Sequence, residues 1–193
     1  FNPILIYIVY IRIISKMKKN LLIYIPSIEE GGVEKNLYII SKYLSKKSIN
    51  ISLLTCNFNK KHFFNKSTFY LGPKNNFWNK KSRKIKNLKC MITLFFNLMF
   101  FNKNYVIFAF QSSITATIIG KMFGNKVVAR ANSSPKGFKN NVLYHRFYSF
   151  FINFADAVIV NSNEFSKLFF KTFSKKPFTI FNPFIPNTIK KLS

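Results

Sequence analysis

The sequence predicts an α/β fold in which a parallel sheet is flanked by helices, and three observations carry that prediction. Short apolar runs rich in Ile, Leu and Val recur along the chain, each of strand length. Between them lie longer segments whose apolar residues return every three or four positions, the spacing of one helix face. A Gly-Gly pair separates the first run from the first such segment, and paired glycines permit a tight turn and a close backbone approach. Strands that alternate with helices imply parallel neighbours joined by right-handed crossovers.

Leu21 to Ile25 opens the fold as a buried strand, Ser27 to Gly32 forms its loop, and Val33, Leu37, Ile40 and Leu44 mark the first helix. Three of the chain's five acidic residues, Glu29, Glu30 and Glu34, sit in this stretch. Ser45-Lys46-Lys47-Ser48 ends that helix with the cations its C-terminus favours. Ile49 to Thr55 is the second strand. Asn57 to Ser67, polar and Lys-rich with interleaved aromatics, reads as a surface loop before a short strand at Thr68 to Leu71, punctuated by Gly72-Pro73. Ile85, Leu88, Ile92, Phe95, Phe96 and Met99 then trace a helix that is apolar nearly all round as far as Phe101. It is too short to span a bilayer and reads as buried or interfacial.

Tyr105 to Ala109 is the next strand, followed by Phe110-Gln111-Ser112-Ser113 and an apolar helix to about Phe123, with Gly124-Asn125 as its cap and turn. Lys126 to Ala129 is a strand that ends in the polar loop Arg130-Ala131-Asn132-Ser133-Ser134-Pro135, and an aromatic helix spans about Asn141 to Phe154. Ala157 to Val160 is a further strand. Asn161, with Glu164 three residues on, reads as a side-chain cap for the helix after it. A last short strand lies near Thr179 to Phe181, before Asn182-Pro183-Phe184.

Composition bounds the rest. The chain has 193 residues, and 48% hydrophobic content is ample for a packed core. Thirty-one Lys and Arg against five Asp and Glu give a formal charge of +26, enough to bind nucleic acid or an anionic membrane surface non-specifically. Lys, Asn, Ile and Phe share A/T-rich codons, so genome composition is an equal explanation of that charge. Lys74, Lys80, Lys81, Arg83, Lys84, Lys86 and Lys89 form a dense basic cluster around Phe77 and Trp78. Its plainer reading is a solvated loop and first helical turn; the functional one is a patch lying on anionic lipid with its aromatics at the interface. Cys56 and Cys90 lie far apart in sequence with no CxxC spacing, which indicates neither a zinc site nor a disulfide framework and fits a reduced, cytoplasmic protein. Residues 1–16 precede Met17-Lys18-Lys19-Asn20, which resembles a natural start; they read as upstream sequence or a short leader.

Neither GxGxxG nor GxxxxGK[ST] is present, which disfavours a dehydrogenase or a kinase. His62 and His145 have no Ser or Asp pattern around them and read as structural, and no metal triad or close carboxylate pair emerges. Arg130 offers a planar fork for a phosphate or carboxylate, against the plainer reading of ordinary surface. Ligands of parallel sheets bind beyond the carboxyl ends of strands. That rule selects four small or polar loops: Ser27–Gly32, Phe110–Ser113, Arg130–Ser134 and Asn161–Glu164.

Four segments together resemble the N-terminal half of glycosyltransferase family 4, enzymes of the GT-B fold. They are Ile25-Pro26-Ser27-Ile28-Glu29-Glu30-Gly31-Gly32-Val33-Glu34-Lys35, Val127-Val128-Ala129-Arg130-Ala131-Asn132-Ser133, Ala155-Asp156-Ala157-Val158-Ile159-Val160-Asn161-Ser162 and Phe181-Asn182-Pro183-Phe184. The resemblance covers about residues 17–187 and implies a Rossmann-like acceptor-side domain. Residues 188–193 would begin an inter-domain segment, with the donor-binding domain and its paired Glu lying outside this chain, so that the fragment alone is not expected to catalyse transfer. The implied reaction moves a sugar from a nucleotide-sugar donor to a surface-polysaccharide or lipid-linked acceptor, without a cofactor. Candidate substrate-binding residues are Gly31, Gly32, Gln111, Ser112, Arg130, Asn132 and Ser162. Gly31 and Gly32 would lie beside the donor diphosphate, and Glu34 would start the helix. Many family members carry a His after the fourth main strand, where this chain has Phe110-Gln111-Ser112; Gln111 or Ser112 would have to supply its contact. The rival expectation is a non-catalytic basic module on an anionic membrane surface or nucleic acid. Of these partners the membrane, on its inner cytoplasmic face, fits the enzyme reading and nucleic acid does not.

Overall fold

The computed structural model describes residues 20–29, 31–46, 49–64, 67–101, 104–132 and 142–182, with the side chains of 61–63 excepted. Several expectations lie outside those residues: the leader 1–16 and the start at Met17, Glu30, Lys47-Ser48, the end of the third loop at Ser133-Ser134-Pro135, Asn141, Pro183-Phe184 and the segment 188–193.

Among the described residues seven strands form one sheet: β1 (Asn20–Tyr24), β2 (Asn50–Leu54), β3 (Phe69–Tyr70), β4 (Val106–Ala109), β5 (Lys126–Arg130), β6 (Ala157–Val160) and β7 (Phe178–Thr179). Five helices connect them: α1 (Gly32–Ser45), α2 (Arg83–Phe101), α3 (Ser113–Met122), α4 (Val142–Phe154) and α5 (Asn163–Phe173). Every strand pair is parallel, and the order is β3-β2-β1-β4-β5-β6-β7. The fold is therefore α/β and Rossmann-like. Its order reverses between β1 and β4, and at such a switch point the loops leave the sheet in opposite directions and open a crevice.

Alternation along β1 divides the core. Leu21, Ile23 and Ile25 face α1, packing with Leu37, Ile40 and Leu44, while Leu22 and Tyr24 face Cys90, Leu94 and Leu98 of α2 and Ala116 and Ile119 of α3. The second face continues beyond α3, where Ile152 of α4 and Phe169 and Phe173 of α5 cover Ala129, Val158 and Val160. Gly120 lets α3 approach closely, since a Cβ there would stand 2.6 Å from Val127 Cγ2 and 2.8 Å from Ile107 Cδ1. Gly124, at φ +67°, ends that helix as expected.

Four differences from the sequence reading have local causes. Asn57–Ser67 is not simply a surface loop: Phe58–Phe63 forms a 3-10 segment, Phe64 is buried against Tyr38, and the Asn57 side chain accepts from Ile28 N–H at 3.0 Å. The cap of α5 is Ser162 rather than Asn161. Its hydroxyl accepts from Phe165 N–H at 3.1 Å, which leaves Glu164 one position too early for a reciprocal capping box. The last strand, Phe178–Thr179, starts earlier than the Thr179–Phe181 expected, because Ile159 and Val160 fix its register. Lys86, counted with the solvated cluster, is buried. Among the described residues no helix is long and apolar enough to cross a membrane.

Candidate active site

A cavity of about 710 Å³ occupies the crevice at the switch point. The β1 loop and the start of α1 supply one wall, with Glu29, Gly31, Gly32 and Glu34. The β4 loop and the start of α3 supply the floor, with Gln111, Ser112 and Ser113, and Arg130 and Asn132 at the end of β5 close the third side. Six of the seven candidate residues are thus brought together. Ser162 is not; its hydroxyl is engaged as the α5 cap, and the β6 loop contributes no lining residue among those described.

Two helix N-termini open on this cavity, α1 at Gly31 and α3 at Ser112, and neither receives a side-chain cap among the described residues. Their first-turn N–H groups and dipoles favour an anion. Gly31 has an ordinary extended backbone (φ −122°, ψ 178°), and Gly124 is the only described glycine at positive φ, so the glycine pair does not serve a left-handed turn. Gly32 provides space, since a Cβ there would meet nothing within 4 Å, whereas a Cβ on Gly31 would stand 2.8 Å from Glu34 Oε2. Ser112 instead takes the left-handed conformation (φ 50°, ψ 45°), an uncommon one for a residue with a Cβ, held where the chain turns from β4 into α3.

Hydrogen bonds tie the loops to one another. Gln111 accepts from Ser27 N–H and donates through Nε2 to Glu34 Oε1, each at 3.3 Å. Glu34, buried in the first turn of α1, also accepts from Glu29 N–H at 3.5 Å, so it starts the helix by reaching back to its own loop. Asn132 Nδ2 donates to Phe110 O at 2.6 Å, and Ser113 Oγ to Arg130 O at 2.9 Å, joining the β4 and β5 loops. Arg130 is not surface: only 8% exposed, its guanidinium lies 5.2 Å from the centre of the Phe110 ring and donates to Asn182 Oδ1 at 3.0 Å.

Of the lining residues that the sequence reading did not single out as part of a site, four offer polar or aromatic side chains from α2 and α4. Arg83 and Asn87, on the first turns of α2, line the cavity, and Arg83 holds Glu29 through both Nε (3.2 Å) and Nη2 (2.8 Å). That fork neutralises one of the two carboxylates in the wall. Tyr144 and Tyr148 present two tilted rings from α4, 6.4 Å apart, and burial with the neighbouring Tyr144 pushes the Tyr148 phenol up to about 12. Their signal was an i, i+4 tyrosine pair on one face of an otherwise Phe-rich helix. His145, on that helix, stacks on Phe173 with ring centroids 5.4 Å apart, a packing role. The His62 side chain is outside the description. Among the described residues no three His, Cys, Asp or Glu side chains gather as a metal site.

No protein-family model matches the chain, and no curated protein matches it. Among solved structures, the crystal structure of Anabaena HepE in complex with UDP and glucose is similar, with a TM-score of 0.56 and 18% identity over 91% of this chain. That likeness shows the fold. The chain spans about half of HepE, 49% of its length.

Proposed function

We propose that this chain is the acceptor-side half of a glycosyltransferase of the GT-B, family 4 type. It works with a nucleotide-sugar donor on a glycan or lipid-linked acceptor, at the cytoplasmic face of an anionic membrane. The observation that supports this most is the meeting of two uncapped helix N-termini and the buried Arg130 at the switch-point cavity. Such a site holds a diphosphate and stabilises the charge that develops on it when the sugar leaves. The open space over Gly32 admits the phosphates, and Arg130 offers a cation fixed against Phe110. Gln111 spends both ends of its amide on loop partners and acts as a positioning residue; the sugar contact falls to Ser112, whose hydroxyl makes no cap bond. Tyr144 and Tyr148 form an aromatic wall on which the apolar face of an acceptor sugar packs.

A uridine diphosphate sugar is the first donor to test, because HepE was solved with UDP and glucose. The test is transfer from UDP-sugars to sugar-phospholipid acceptors by the complete gene product. Gly32→Val is expected to lower turnover by about tenfold or more, roughly 1.4 kcal/mol of transition-state stabilisation. Its Tm should stay at the parent value, since a Cβ at Gly32 meets no neighbour within 4 Å. Unchanged turnover in that variant makes the loop a connector, and failure of transfer with every nucleotide sugar overturns the enzyme reading in favour of a binding module.

A further inference from the structure

The fold brings together the only two cysteines of the chain. Cys56, just beyond β2, and Cys90, in the middle of α2, place their sulfurs 3.1 Å apart in the core beneath Tyr24 and Leu94, and both are fully buried. Closing that gap to the roughly 2.05 Å of a disulfide asks for about 1 Å of side-chain movement.

We propose that Cys56 and Cys90 form a reversible intramolecular disulfide, with hydrogen peroxide as the oxidant. Three features distinguish the pair from two inert core thiols. Cys56 Sγ also lies 3.5 Å from Lys86 O, one turn before Cys90, so it is held against the helix that carries its partner. Lys86 is itself buried, placing a cation in the thiols' own surroundings. Either thiol can donate to the other across that contact, and the charges of Lys86 and Lys89 favour a thiolate at both sulfurs. One sulfur therefore attacks the oxidant and the other resolves it.

The steps balance. One thiolate attacks a peroxide oxygen, the O–O bond breaks, and hydroxide leaves and is protonated to water, with that cysteine carried to the sulfenic acid. The other sulfur then gives up its proton and attacks the oxidised sulfur; the S–O bond breaks and a second water leaves. Two thiols and one peroxide give one disulfide and two waters, the sulfurs losing two electrons and the peroxide gaining them.

The bond would fasten α2 to the end of β2. Cys56 N–H donates to Pro26 O at 3.0 Å in the site loop, and α2 carries Arg83 and Asn87 into the cavity. Oxidation thus acts on both walls that Arg83 and Glu29 already join.

The experiment treats the folded protein with hydrogen peroxide, quenches it, and counts thiols after denaturation with an aromatic disulfide reagent. The expected result is a fall from two thiols to none, an intact mass lower by two hydrogens, a peptide linking Cys56 to Cys90, and reversal by dithiothreitol. At least one of Cys90→Ala and Cys56→Ala should leave its remaining cysteine as a sulfenic acid trapped by dimedone, and neither should form the intramolecular link. Two surviving thiols, a mass gain from sulfinic acid without a cross-link, or disulfides only between chains would each overturn the proposal.

Discussion

Single residues decide how the site is held, and Arg130 shows why burial is the property a sequence discloses least. It ends β5 with its guanidinium against Phe110 and bonded to Asn182, partners that lie far along the chain in either direction. No local pattern marks it as buried. The same applies to Cys56 and Cys90, whose 3.1 Å approach spans two elements that sequence spacing leaves unrelated. Gly31 and Gly32 line the candidate cavity in the loop the sequence marked, but not for a left-handed turn: Gly32 leaves open space and Gly31 lets Glu34 Oε2 approach. Gly72 carries a sharper constraint than either, because a Cβ there would stand 1.8 Å from Thr55 O and 2.8 Å from the Tyr70 hydroxyl. That hydroxyl in turn donates to Thr55 O at 2.8 Å and Pro73 O at 3.2 Å. Gly72→Ala should therefore destabilise by about 2–3 kcal/mol, the range of an overpacked core, and lower the Tm by roughly 5–10 °C. A thermal melt matching the parent would mean that the backbone yields there freely.

At the scale of elements, the type and order of the strands and helices were legible because short apolar runs and helix-spaced segments each keep one period. The element ends were less so. Ser162 and Asn161 are chemically equal cap candidates, and only the backbone of Ser162, extended at φ −150° and ψ 158°, selects between them. α2 is the element whose environment the sequence left most open. Cys90, Leu94 and Leu98 face the sheet, while Leu88, Ile92, Phe96 and Phe100 form an exposed stripe on the outside. Lys81 and Lys89 stand over the rings of Phe77 and Trp78 at 4.1 and 5.4 Å near its N-terminal end. On the proposed membrane-facing reading, the stripe would sink to the acyl boundary of an anionic bilayer and the lysines would meet its headgroups. A second copy of the chain is disfavoured on the same face by its +26 charge. Phe96→Ser with Phe100→Ser should reduce sedimentation with phosphatidylserine vesicles in high salt about tenfold or more. Equal binding of parent and variant, abolished by salt in both, would leave only unspecific charge attraction.

For the whole molecule, burial sets the response to alkali. Tyr24 and Tyr70 have phenols raised by burial with the buried cysteines beside them, and Tyr148 is pushed up to about 12 by burial with Tyr144. The folded chain keeps these protons above the ordinary tyrosine range near 10, where the unfolded chain has released them. Folding stability from these groups is accordingly intact below about pH 10 and declines as pH rises through about 12. An ultraviolet titration of the chain's nine tyrosines should show the exposed ones ionising first, with helix content unchanged, and the buried ones only as circular dichroism is lost. A single step near pH 10 in a still-folded protein would contradict it.

The strand order has a consequence for how the chain is made. β1 sits inside the sheet, with Leu21 paired to Ile51 on one side and to Val106 on the other. Its second neighbour leaves the ribosome about 85 residues later, on the order of ten seconds at ordinary elongation rates. For that interval a strand with apolar side chains on both faces presents an open edge. Production of this protein should therefore be limited by capture of the nascent chain before β4 arrives, a vulnerability that slower synthesis lengthens and holdase chaperones relieve.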